Sequence, residues 1–148
     1  MSCIAFRVFE ASFLLDVRDR SVMTLDRPFS ILVTDDDPAS RETFRDIFEP
    51  VGFKMFLAES GEEAIEIIHR HDVHVALMDM HLPKLSGLET MAIVRQMKGM
   101  LPMILVSADQ DEALMRRALS AQAFSVLAKP VSRSLVIYVV RRALEKFY

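Results

Sequence analysis

Three aspartates, a serine and a lysine stand where short apolar runs end, and together they could bind and transfer a phosphoryl group. Asp35 and Asp36 follow Ile31-Leu32-Val33-Thr34, Asp79 ends the run from Val73 to Met78, Ser107 follows Met103 to Val106, and Lys129 follows Ser125 to Ala128. Carboxylates gathered without compensation repel one another and push at least one pKa up, so the trio is costly unless a cation neutralises it. The donors are all oxygens, and no His or Cys sits at a ligand-like spacing. The fitting ion is therefore magnesium or a similar hard cation, which keeps waters and phosphate oxygens in its remaining positions. A metal and an ammonium group can share the charge of a transferring phosphoryl while a hydroxyl donates a hydrogen bond to it. Asp79 is the best candidate for the nucleophile.

Each residue alone has a plainer explanation. An Asp after a strand is usually a turn former or a helix cap, the role assigned here to Asp37 with Pro38 behind it. A serine there commonly satisfies local backbone groups, and a lysine before a proline can be a solvated loop residue. The joint event carries the chemical reading, because five residues of the right kinds end four different apolar runs.

Positioning them requires alternating strands and helices. From Ser30 onward, short apolar runs alternate with amphipathic stretches in five units, the pattern of a parallel sheet with crossover helices. Phe44, Ile47 and Phe48 mark the inner face of a first helix that stops near Pro50. Ser60-Gly61-Glu62-Glu63 and Ser86-Gly87-Leu88-Glu89 read as capping boxes. The helices behind them offer Ala64, Ile67 and Ile68, then Leu88, Met91 and Ala92, to the core. A fourth helix begins around Asp109 to Glu112 with Leu114 and Ala118 inward, and a fifth starts near Ser132. Right-handed crossovers make this an open α/β sheet, doubly wound, with its ligand at the carboxyl ends of the strands.

Composition narrows the classes. The chain has 148 residues, 51% of them apolar, which is room for one domain with a large core. A net charge of -3 with scattered basic residues gives no reason to expect nucleic acid as a partner. Cys3 is the only cysteine, so an intrachain disulfide is excluded and a cytoplasmic location is expected. Met1 to Val17 is apolar but is interrupted by Arg7, Glu10 and Asp16, so neither a signal peptide nor a membrane span is expected.

From Phe29 to about Lys146 the residues resemble the receiver domain of two-component response regulators. The resemblance is carried by Ile31 to Asp37, by Leu77-Met78-Asp79-Met80-His81-Leu82-Pro83-Lys84-Leu85-Ser86-Gly87, by Leu105-Val106-Ser107-Ala108 and by Ala128-Lys129-Pro130. It implies a flavodoxin-like (βα)5 fold with strand order 2-1-3-4-5. It also implies that Asp36 and Asp79 hold Mg2+ with the main-chain carbonyl of His81, while Asp35 assists through the water shell of the ion. Asp79 would take the phosphoryl group from a phosphohistidine on a sensor histidine kinase or phosphotransfer protein, or from a small acyl phosphate. Ser107 would follow that group, Lys129 would pair with it, and the Lys129-Pro130 bond would be cis. His81 and Asp109 would flank it. The only enzymatic activity implied is self-phosphorylation and self-dephosphorylation.

Where the family usually has an inward-turning aromatic on the fifth strand, this chain has Val126, with Phe124 two residues earlier on what period two makes the same face. A weaker or different response of the fourth helix and fifth strand follows. In the last helix Leu135, Val136, Val139, Val140 and Ala143 form a core stripe, leaving Ile137, Tyr138 and Leu144 as apolar surface. A downstream protein, a second copy bound through the fourth helix, fifth strand and fifth helix, or the chain's own N-terminus could cover it. Residues 29–148 are expected to form the receiver unit and residues 1–28 an N-terminal extension holding Ile4, Phe6, Val8, Phe9, Phe13, Leu14 and Leu15, with Met23 a possible alternative start. His69, His71 and His74 are expected at the surface near the end of the second helix. No output module follows in the sequence, so a single-domain response regulator is expected. Two other classes compete. A receiver-like adaptor that works without phosphorylation is one, and a magnesium-dependent phosphatase is the other. The phosphatase would want a second acid two residues after Asp79, where His81 stands.

Overall fold

The computed structural model describes residues 28–148. The expectations about the N-terminal extension fall on residues 1–27 and lie outside the described residues. In chain order the elements are β1 (Ser30–Thr34), α1 (Pro38–Phe48), a 3-10 turn (Glu49–Val51), β2 (Lys54–Ala58), α2 (Gly61–Arg70) and β3 (Val75–Asp79). After these come α3 (Gly87–Met97), β4 (Met103–Ser107), α4 (Glu112–Ser120), β5 (Ser125–Ala128) and α5 (Arg133–Phe147). All strand pairs among the described residues are parallel, and the sheet order is β2-β1-β3-β4-β5, the flavodoxin-like 2-1-3-4-5 arrangement.

The three central strands β1, β3 and β4 are buried along their whole length, because helices cover both faces. On one face Ile31, Val33, Val75, Leu77, Ile104 and Val106 pack against α1 and α5. On the other, Leu32, Ala76, Met78, Met103 and Leu105 pack against α2, α3 and α4. The alternation follows from the period of two along each strand. It also fixes the strand ends, because every strand must stop in step at the same edge.

Side-chain caps set the helix starts. Asp37 Oδ1 accepts from the Ala39 amide at 3.2 Å with Pro38 in the first turn, and Ser86 and Glu89 form a full capping box. At α2 Ser60 Oγ accepts from Glu63 N, but the Glu63 carboxylate accepts from the Glu59 amide at 2.8 Å, so only half of the expected box forms. The fourth helix starts at Glu112 under an Asp111 cap, later than the earliest start expected. The third strand starts at Val75 rather than Val73.

Several assignments of facing change. Ala92 is exposed and Val94 takes its place in the core of α3. In α5 Leu135 is 46% exposed whereas Leu144 is buried, and Ile137 packs partly into the core. Phe124 precedes β5 and escapes its alternation. It packs towards α5, edge-on to Phe147 at 6.3 Å, while Val126 packs on the opposite face. His74 is not on α2. It stands just before β3, where its Nδ1 accepts from the Ser30 amide at 2.9 Å and its ring meets Phe29 and Tyr148.

Candidate functional site

The carboxyl edge of the sheet gathers the polar residues that end the strands. Asp35 comes directly after β1 and is buried. Its amide donates to the carbonyl of Ala58 at the end of β2, and its Oδ1 accepts from the Asp37 amide at 2.9 Å. The sharp turn these bonds enforce brings the next carboxylate, the exposed Asp36, alongside. Asp79 is the last residue of β3 and is 7% exposed, with Oδ1 accepting from the His81 amide at 3.1 Å. One oxygen from each of Asp35, Asp36 and Asp79 lies within 4.8 Å of the others.

Lys129 reaches this trio from the end of β5. Its Nζ donates to Asp79 Oδ2 at 3.0 Å and to Asp35 Oδ2 at 3.2 Å, and the Lys129-Pro130 peptide is cis. The Lys129 amide donates to the Ser107 carbonyl, which ties the end of β5 to the end of β4. Ser107 is fully buried, one residue past Val106, the neighbour of Asp79 in register, and its Oγ accepts from the Asp109 amide at 3.0 Å. His81 Nε2 and Asp109 Oδ2 lie 2.8 Å apart and join the loops after β3 and β4 at the exposed surface.

Burial pushes the Asp79 carboxyl above the ordinary 3.8. The charge of Asp35 adds to that push, while the His81 amide and Lys129 pull the other way without cancelling it. Burial also opposes the charge on Lys129, but its two carboxylate partners outweigh it and hold the ammonium above the ordinary 10.5. Both groups are raised for different reasons: two anions outweigh burial at Lys129, whereas burial outweighs the neighbouring cation at Asp79. Three carboxylates and one ammonium leave a surplus of two negative charges, which a divalent cation matches. The donors are carboxylate oxygens, so the residues present fit magnesium.

Two residues of this site were missed from the sequence. Gly87 opens α3 directly against the end of β3. A Cβ there would overlap the carbonyl oxygen of Asp79 and come within 2.9 Å of Met80 Cα, and the Gly87 amide donates to the Met80 carbonyl. Arg41, in the first turns of α1, donates from Nη1 to the main-chain carbonyl of Asp35 at 2.7 Å. Gly87 was visible in a capping box and at the end of the segment that carries the family resemblance, but neither pointed to its contact with the Asp79 carbonyl. Arg41 carried no signal beyond its spacing from the acidic pair.

Five parallel strands in the order β2-β1-β3-β4-β5 with helices on both faces, and acidic residues at the carboxyl edge, are the architecture of a receiver domain. Residues 31–141 match the response regulator receiver domain family, and the chain belongs to it. Among curated relatives it is 30% identical over 115 residues to a cyclic di-GMP phosphodiesterase of Thermotoga maritima, covering 78% of this chain and 31% of that protein. It is 27% identical over 119 residues to response regulator RR06 of Streptococcus pneumoniae, covering 80% of this chain and 54% of that protein. The chain thus spans about half or less of the curated relatives it matches. Among solved structures, the receiver domain of the Francisella response regulator 1452 superposes with a TM-score of 0.77 at 26% identity, covering 82% of this chain and all of that one (100%). A CheY-like receiver domain protein from Methanospirillum hungatei gives a TM-score of 0.78 at 23% identity, covering 81% and 96%. That likeness speaks for the fold alone. Receiver domains are in general signalling domains rather than enzymes, and as a family they bind magnesium at acidic residues; this chain gathers Asp35, Asp36 and Asp79 at the carboxyl edge of its sheet. No helix among the described residues is long and apolar enough to cross a membrane.

Proposed function

We propose that Asp79 is the phosphoacceptor of a two-component phosphorelay. A carboxylate oxygen of Asp79 attacks the phosphorus of a phosphohistidine on a sensor histidine kinase or phosphotransfer protein. The new O–P bond forms as the N–P bond breaks, and the imidazole leaves with the electron pair and takes up a proton. The observation that carries this reading is Lys129, held by Asp79 at 3.0 Å and Asp35 at 3.2 Å, beside three carboxylates within 4.8 Å of one another. Asp36 and Asp79, with the main-chain carbonyl of His81, would hold Mg2+, and Asp35 would reach it through water. When bound, the ion neutralises charge on the acceptor and on the incoming phosphoryl oxygens. Lys129 keeps its ammonium charged for the same oxygens, and Ser107 supplies a hydroxyl at the end of the adjacent strand.

In this reading residues 29–148 are the receiver unit, residues 1–28 are an extension, the chain works in the cytoplasm and its output is protein contact. The surface formed by α4, β5 and α5 supports the last point, since Met115, Leu119, Leu135 and Tyr138 are exposed on its helices. The alternative is an adaptor that binds without phosphorylation, favoured by Val126 in place of a switch aromatic. Incubation with a small acyl phosphate and magnesium, or with a phosphorylated phosphotransfer protein, separates the two. Transfer that disappears in Asp79→Asn supports the phosphoacceptor. Absence of transfer from both donors leaves the adaptor.

A further inference from the structure

We infer that Arg41 is a positioning residue for the metal centre, holding the peptide between Asp35 and Asp36 so that the Asp36 carboxylate stands beside Asp79. The inference rests on reading the aspartate trio as a magnesium site. Asp35 is fixed at its amide by Ala58 and at its side chain by the Asp37 amide and Lys129. Asp36 is exposed and takes its place from the backbone on either side of it. That backbone is anchored on the carbonyl side of Asp35 by Arg41, whose own amide bonds to Asp37 O in the opening turn of α1. The half-buried guanidinium thus reaches back across the turn and ties the start of α1 to the end of β1. A hydrogen bond from a charged donor is among the stronger ones, and here it sits at the peptide whose rotation would swing Asp36 out of the trio.

Removing a group that orients a metal ligand typically costs about 10- to 100-fold in metal affinity. Arg41 acts on the main chain beside a ligand, so the lower end, about 10-fold, is expected. The test is calorimetric titration of the full chain with magnesium chloride, alongside thermal unfolding without magnesium. Arg41→Gln keeps helix propensity but stops short of the carbonyl, and should bind magnesium about 10-fold more weakly. Arg41→Lys keeps a charged donor and should fall between the two. Ile47→Val loosens the packing of α1 on the sheet without touching the loop, so it should lower the unfolding temperature and leave magnesium affinity unchanged. An unchanged affinity in Arg41→Gln overturns the inference. So does an equal loss in Ile47→Val, or an Arg41→Lys that binds as weakly as Arg41→Gln. If the wild type itself takes up no magnesium, the metal reading fails and this inference with it.

Discussion

Lys129 and Asp79 answer to different balances, and that difference is measurable. In the metal-free protein burial raises the Asp79 carboxyl above 3.8, so the folded state holds that proton more tightly than the unfolded chain. The stability this contributes is full below the unfolded value and is lost as pH rises through the raised folded one. Lys129 is also raised, above 10.5, so its contribution is present at neutral pH and lost only in strong alkali. Urea unfolding of wild type and Asp79→Asn without magnesium should therefore show the mutant gaining on the wild type as pH goes from 4 to 7.5. A gap that does not change over that range would contradict the assigned cause. The strand-end residues could be read from sequence because apolar runs announce where strands stop. The Arg41 bond could not, since a side chain reaching back to a main-chain carbonyl leaves no periodic trace.

Among the elements, the junction of β3 and α3 is the tightest constraint near the site. With Gly87 pressed on the Asp79 carbonyl, Gly87→Ala must push α3 away from the end of β3. The cost should be about 1–3 kcal/mol, typical of overpacking, with acyl-phosphate labelling of Asp79 reduced as the strand end shifts. Denaturant melts and a labelling time course check both; wild-type values in each would sink the claim. Capping at Ser86 was legible because a box is a local pattern of four residues. Which face of α3 and α5 turns inward was less so. Both helices carry apolar residues on several sides, and only the neighbouring helices decide that Val94 and Leu144 are covered while Ala92 and Leu135 are not. Phe124 shows the same limit, since period two does not extend past the first residue of β5.

For the whole molecule, the alternation of five units foretold a doubly wound sheet, but spacing alone could not give the strand order. Pairing between distant segments is set by crossover geometry, and the order came from the family likeness. The carboxyl edge of the sheet and the α4–β5–α5 face are linked through β4 and β5, whose ends are joined by the bond from the amide of Lys129, one residue past β5, to the carbonyl of Ser107, the last residue of β4. Leu119 is 73% exposed on α4, so Leu119→Arg should change stability by less than about 0.5 kcal/mol. The same substitution should abolish any self-association or partner binding that phosphorylation induces through this face. Sizing chromatography with and without beryllofluoride tests this, and association that survives the mutation would place the contact elsewhere.

The most direct test of the proposal that Asp79 is the phosphoacceptor is intact-mass spectrometry of the protein after exposure to an acyl phosphate, with and without magnesium. The account predicts one added phosphoryl group that requires magnesium and is absent from Asp79→Asn. A phosphoryl adduct that persists in Asp79→Asn, or one that forms equally well without a divalent cation, would contradict it.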